Sequence, residues 1–218
     1  VNQPLTRNLT PEKALIFRIT HRDNIPWILA NGLHCRNSGR TDPNFVSIGN
    51  PDLIDKRQTR EVPIGPKGTL SDYVPFYFTP YSPMMYNIRT GWGGITRRAN
   101  EEIVVIVSSL RQAQEQGLSF VFADRHAYLR AARFFDSLDD LGAIDFELLQ
   151  RKDFKKDPDD PEKVERYQAE ALIHRCLPMS AARGIACYDP ATRDGVRSYV
   201  EEAGLSMKVL SQPSWYFR

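Results

Sequence analysis

The longest uninterrupted apolar run in this chain is Ile103-Val-Val-Ile-Val107, five residues. A run that short is strand-sized and falls far below the ~18 apolar residues of a membrane helix. The chain must therefore bury its apolar side chains by bringing many short elements together. With 218 residues it has the length to do so, since chains of this size bury on the order of 70% of their unfolded surface. The 41% hydrophobic and 26% charged content is that of an ordinary globular protein. It excludes collagenous, disulfide-scaffold and wholly disordered classes. At roughly 150 residues per domain the length allows one large domain or two small ones. No linker, repeat or low-complexity segment divides the chain, so residues 1–218 are read as one domain.

The elements come in mixed order. Leu15 to Thr20 reads as a strand, and a helix starts at Asp23, with Pro26 in its first turn and a stop at Asn31-Gly32. Residues 36–72 are rich in Gly, Pro, Asn and Asp and read as a long, mostly irregular excursion, a kind of segment that often carries function. Tyr73 to Phe78 is a strand, and Ser82-Pro83 caps a short helix that ends at Gly91. Ile103 to Val107 and Ser119 to Ala123 are strands, and His126 to Ser137 has helical spacing. A further helical turn is expected over Asp145 to Gln150, strands at Ala169 to Arg175, Gly184 to Tyr188 and Met207 to Leu210, and a helix over Ala191 to Ala203 closed by Gly204. Helices early and strands late imply an α+β domain with a mixed or antiparallel sheet.

Net charge is +2, which says little; its distribution says more. Tyr73 to Asn100 contains no Asp or Glu, yet holds Arg89, Arg97 and Arg98 among Tyr77, Tyr81, Tyr86 and Trp92. Cations interleaved with aromatics suit phosphate contact and base stacking, though a buried strand and loop would share that composition. Arg151 to Lys163 carries five cations, five acids and two prolines, the pattern of a solvated loop. Cys35, Cys176 and Cys187 are odd in number and lack C-x-x-C spacing, which points to a reducing cytoplasm. The opening residues, Val-Asn-Gln-Pro-Leu-Thr-Arg, hold no apolar core of a secretion signal.

Common catalytic signatures are absent: no P-loop, no H-E-x-x-H and no G-x-S-x-G. Four histidines, His21, His34, His126 and His174, are dispersed. Glu170 stands out, because a carboxylate at the start of a half-buried strand is costly unless paired or used. Arg57, within the irregular excursion, has the fork geometry to clamp a phosphate or carboxylate, and Arg60 would serve equally. Thr20-His21 ends the first strand, where it either presents groups to a ligand or simply turns.

Three blocks carry a family resemblance: Ile19-Thr-His-Arg-Asp-Asn24-Ile-Pro26 followed by Asn31-Gly-Leu33; Asp72-Tyr-Val-Pro-Phe-Tyr-Phe78 with Ser82-Pro-Met84; and Arg166-Tyr-Gln-Ala-Glu170. Together, from about Lys13 to Phe217, they resemble the DarT family of bacterial DNA ADP-ribosyltransferase toxins. The resemblance implies an ADP-ribosyltransferase-like fold, with two small mixed or antiparallel sheets forming an NAD cleft between flanking helices. It implies transfer of ADP-ribose from NAD to a thymidine base in single-stranded DNA, with no metal, and a macrodomain glycohydrolase as antitoxin. A related branch modifies guanine. Transfer to RNA or protein, or nucleic-acid binding without catalysis, are the competing functions.

By the same resemblance Glu170 matches the catalytic glutamate, Arg57 the arginine required for activity, and His21 a histidine that contacts NAD. Asn24 and Asn31 would help line the NAD pocket, and His126 would stand near the target base. Arg151 to Tyr167 would take the place of the substrate-selecting loop, while the acid-free aromatic stretch, not the resemblance, offers Tyr86, Arg97 and Arg98 as DNA contacts.

Overall fold

The structure is a computed structural model that describes residues 5–217. Its main sheet has eight strands: β1 (Leu15–His21), β3 (Tyr73–Tyr77), β4 (Ile103–Ser109), β5 (Phe120–Ala123), β6 (Phe134–Phe135), β7 (Glu170–His174), β9 (Gly184–Cys187) and β10 (Lys208–Ser211). A small second sheet pairs β2 (Leu33–His34) with β8 (Cys176–Leu177). The main sheet runs β10-β9-β4-β1-β3-β7-β5-β6, and only β9 and β10 pair in parallel.

β4 contains the apolar run, and its side chains are almost all buried, so both of its faces are covered. It pairs with β1 along the whole of that strand, from Leu15↔Ser109 to His21↔Ile103. On the far side of β1 the pairing nearly stops, because β1 and β3 share a single register pair, Phe17↔Tyr77. Pro75 in β3 has no N–H to give to a ladder. Its carbonyl instead accepts from Arg18 Nη1 at 3.1 Å. The sheet is thus two four-stranded halves hinged at one pair. The α+β class expected from element order stands, with the two sheets joined into one and a two-stranded sheet added.

The helices are α1 (Ile25–Asn31), α2 (Pro51–Lys56), α3 (Pro83–Thr90), α4 (Leu110–Glu115), α5 (Phe146–Arg151), α6 (Lys163–Arg166) and α7 (Pro190–Glu202). Most follow the capping signals in the sequence. Ser82 accepts from Met85 N–H at the start of α3, and Gly91 closes it with φ 78°. Asp189 caps α7 through Thr192 N–H. α2 lies inside the excursion read as mostly irregular, and its cap, Asn50 before Pro51, is the one signal that marks it.

The helix expected over His126 to Ser137 does not form. Residues 124–133 are a loop between β5 and β6. The buried Asp124 carboxylate accepts from Arg133 N–H at 3.1 Å and from Arg133 Nε at 2.8 Å, folding the chain back on itself. Phe135 then stacks on Phe122, with ring centroids 5.4 Å apart. The aromatic pair is worth more across a hairpin than along a helix that leaves Asp124 unpaired.

Candidate active site

A cleft of about 520 Å³ opens along the gap between β1 and β3. Its walls include Trp27, Phe45, Tyr73 and Phe76, and Arg18, Arg57, His126 and Glu170 reach it. That size, with apolar walls and charged groups reaching in, suits a small-molecule site.

Glu170 begins β7 opposite Tyr77 of β3 and Ala123 of β5 and is 2% exposed. Its Oε2 accepts from Arg57 Nη1 at 2.9 Å and its Oε1 from Ala127 N–H at 3.1 Å. His126 Nδ1 lies 3.1 Å from Oε1 and 3.2 Å from Tyr128 N. That nitrogen accepts from the amide when it carries no proton and donates to the carboxylate when it does. Burial alone would raise the Glu170 pKa; Arg57, His126 and the Ala127 N–H outweigh it and hold the carboxyl below the usual range.

Arg57 arrives from the end of α2, where its own N–H closes the helix on Leu53 and Asp55 carbonyls. Asn24 anchors the chain that leads into α2. The Asn24 amide oxygen accepts from Val46 N–H at 2.8 Å, and its nitrogen donates to Val46 O and Thr20 Oγ1, both at 3.0 Å. This clamp lays the excursion over the end of β1. Arg60, the alternative to Arg57, turns away and donates to the carbonyls of Ala127 and Leu129, at 3.4 and 2.9 Å.

The remaining sequence-named residues are not all at the cleft. His21 is buried, with Nδ1 accepting from Asp23 N–H and Nε2 facing Glu102 at 3.4 Å. Asn31 donates to Trp27 O within its own helix, and neither it nor His21 lines the cleft. Asn24 uses both ends of its amide on the protein itself. Arg98 pairs with Glu102 at 3.3 Å, whereas Arg97 is exposed. Tyr86 packs edge-on against Phe154 and Phe217 while 40% of it stays exposed. The segment preceding Glu170 is pinned by Lys163 to Asp153 at 2.6 Å and by Arg166 to Asp160 through two bonds.

Two cleft residues escaped the sequence reading. Arg18 is half-buried at the cleft; burial, and then the neighbouring Arg57 charge, pull its guanidinium down to about 10. Its Nε has no hydrogen-bond partner, nor has Arg57 Nη2. Tyr77, enclosed beside Glu170, has its phenol pushed well above the ordinary value, by burial first and then by the Glu170 charge. A charge inside the apolar strand Leu15-Ile-Phe-Arg-Ile marks Arg18, because such a group is buried at a cost unless it is used. Among the described residues no group of His, Cys, Asp or Glu is placed to hold a metal ion.

Two sheet halves thus meet over a cleft, with an arginine-paired glutamate at a strand start, and solved ADP-ribosyltransferases share this fold. Thermus sp. 2.9 DarT in complex with ADP-ribosylated ssDNA is similar at a TM-score of 0.87 and 34% identity, over 95% of this chain and 98% of that one. The same protein in complex with NAD+ gives a TM-score of 0.84 at 34% identity, over 95% of this chain and 99% of that one. A DNA ADP-ribosyl transferase of Escherichia coli O127:H6 is 53% identical over 210 residues, 96% of each chain. The family model described as ssDNA thymidine ADP-ribosyltransferase, DarT, matches residues 17–217. The chain belongs to the DarT family.

Proposed function

We propose that this protein transfers ADP-ribose from NAD to a thymidine base of single-stranded DNA, as one catalytic domain spanning the chain and acting in the cytoplasm. The observation that carries the reading is Glu170, buried at the cleft floor and ion-paired to Arg57 at 2.9 Å. Support for donor and acceptor comes from the Thermus relative solved with NAD+ and with ADP-ribosylated ssDNA.

The cleft fits the donor chemically. Aromatic walls suit flat rings, and the guanidinium groups of Arg18 and Arg57 at the cleft bring positive charge to an anion. A carboxylate has about four acceptor sites. With His126 protonated at Nδ1, three on Glu170 are engaged, leaving one on Oε2 beside Arg57 for a ribose hydroxyl. As the bond from ribose C1′ to nicotinamide breaks, positive charge develops on the ribose. A fixed carboxylate stabilises it there without reorganisation. Nicotinamide leaves as a neutral molecule, and C1′ bonds to a ring nitrogen of the acceptor. The proton on that nitrogen passes to the Glu170–His126 pair. The acceptor base must be unstacked to reach this floor, which favours a single strand. A macrodomain glycohydrolase antitoxin would reverse the modification; that pairing rests on the three sequence blocks.

Mass spectrometry of single-stranded oligonucleotides incubated with protein and NAD tests this. The expected result is a gain of one ADP-ribose unit, located by fragmentation on thymine. A gain on guanine, or only on RNA or protein, replaces the acceptor; binding without any gain removes the enzyme.

A further inference from the structure

The most exposed large apolar side chain among the described residues is Trp92, at 71%. It stands on the loop Gly91-Trp92-Gly93-Gly94, whose three glycines have φ of 78°, 70° and 75°. Backbone of this hand disfavours other residues, and a side chain added at Gly93 or Gly94 would meet nothing within 4 Å. The loop therefore stands off the body, yet its base is tied. Gly91 N–H closes α3 on Asn87 O, Trp92 N–H is 3.3 Å from Thr90 Oγ1, and Arg98 N–H donates to Ile88 O. A tied loop presenting a bare indole keeps that surface available at little ordering cost.

Its neighbourhood selects the partner. No acidic residue occurs from Tyr73 to Asn100. Arg97 returns beside Gly91, its Cβ 3.6 Å from where a Gly91 side chain would begin. Arg97 is exposed and makes no ion pair with another described residue. An exposed indole and an exposed arginine rooted at the same loop are the side-chain types that hold a nucleobase and its phosphate. Position selects further. Met84 in the first turn of α3 lines the cleft, and α3 leads from there to Trp92. At 1.5 Å per residue the two are separated by roughly 12 Å.

We infer that Trp92 is a stacking platform for a nucleobase flanking the modified one, with Arg97 on the adjoining phosphate. The inference rests on the proposed DNA acceptor. It makes the protein favour strands that extend beyond the reacting base, and it places that preference outside the cleft.

Steady-state transfer to a ladder of single-stranded oligonucleotides, from the shortest that reacts upward, tests it with wild type, Trp92→Ala and Trp92→Phe. For wild type, KM should fall as the strand lengthens past the platform. Trp92→Ala should lose that gain, a rise of roughly tenfold in KM for long strands, with kcat and the KM for NAD unchanged. Trp92→Phe should recover most of it, because a ring still stacks. Equal KM values for wild type and Trp92→Ala at every length would overturn the inference. So would sedimentation showing a wild-type dimer that Trp92→Ala dissolves, since the indole would then face a second copy. Failure of wild type to modify any oligonucleotide is a different result and removes the DNA acceptor itself.

Discussion

The floor and the rim of the cleft are both rich in charge, and they use it differently. On the floor, Glu170 is answered by Arg57, which lies 113 residues away in sequence, and by the Ala127 N–H, 43 residues away. On the rim, outside the cleft lining, the segment before Glu170 pairs mostly with near neighbours: Lys163 with Asp153, Arg166 with Asp160, with Arg125 and Asp145 reaching in from outside. The floor pairs are enclosed, so removing one partner strands the other in low dielectric and costs several kcal/mol. In each rim pair the acid is more than a third exposed, so the pair is partly screened and contributes less. Folding and chemistry are thus fused on the floor and separable on the rim.

Glu170→Gln is the sharpest break. It keeps the size but removes the charge that faces the developing cation. Transfer should fall on the order of 10²- to 10³-fold, with NAD binding retained by calorimetry. Activity within a few-fold of wild type would exclude Glu170 from the chemistry. Arg57→Ala should come next, with a comparable loss of transfer and a loss of about 3–5 kcal/mol in urea unfolding, because Glu170 is then buried without its cation. Arg60→Ala provides the contrast. It removes bonds to the carbonyls of Ala127 and Leu129, costing about 1–2 kcal/mol, and should lower transfer by less than Arg57→Ala does. A reversed order would mean that Arg60 reaches the reacting groups.

Acid sharpens the floor further. Although burial opposes its ionisation, the Glu170 pKa is lowered by Arg57 and its other partners. A lowered folded-state value means its contribution is complete above the unfolded carboxylate pKa. That contribution is lost as pH falls through the folded value. Wild-type stability should therefore decline on acidification more steeply than that of Glu170→Gln, read as unfolding midpoints over a pH series. Parallel curves would show that Glu170 is not ionically held.

How far all this was legible follows the same division. Strand β4, both ends of α3 and the Gly204 end of α7 rest on local signals, and they stand where the sequence places them. Glu170 was legible as a carboxylate that a strand would not bury idly. The choice between Arg57 and Arg60 was not, because the two lie three positions apart and only the folded chain shows that Arg57 reaches Glu170 while Arg60 is spent on the carbonyls of Ala127 and Leu129. Asn24 itself reads as a pocket residue from its motif, but its amide is spent on the loop. The 124–133 loop failed as a helix for a related reason: Asp124 and Arg133 find each other across a hairpin, and helical periodicity carries no trace of that. Arg18 went unread, although a charge in an apolar strand could have marked it, because its meaning depends on Pro75 breaking the ladder beside it.

The smallest expected effect lies on the rim. Arg166 holds Asp160 through bonds of 3.0 and 2.7 Å and also reaches Asp145 at 3.4 Å, fixing the chain just before Glu170. These partners are partly solvated, so Arg166→Ala should leave the melting temperature nearly unchanged. The segment from 151 to 163 would gain freedom and have to be ordered again when a strand binds. The cost should appear as a rise of a few-fold in the KM for oligonucleotide, with kcat nearly unchanged. A large fall in kcat would show that Arg166 sets the position of Glu170, and the line between floor and rim would then have to be drawn outside it.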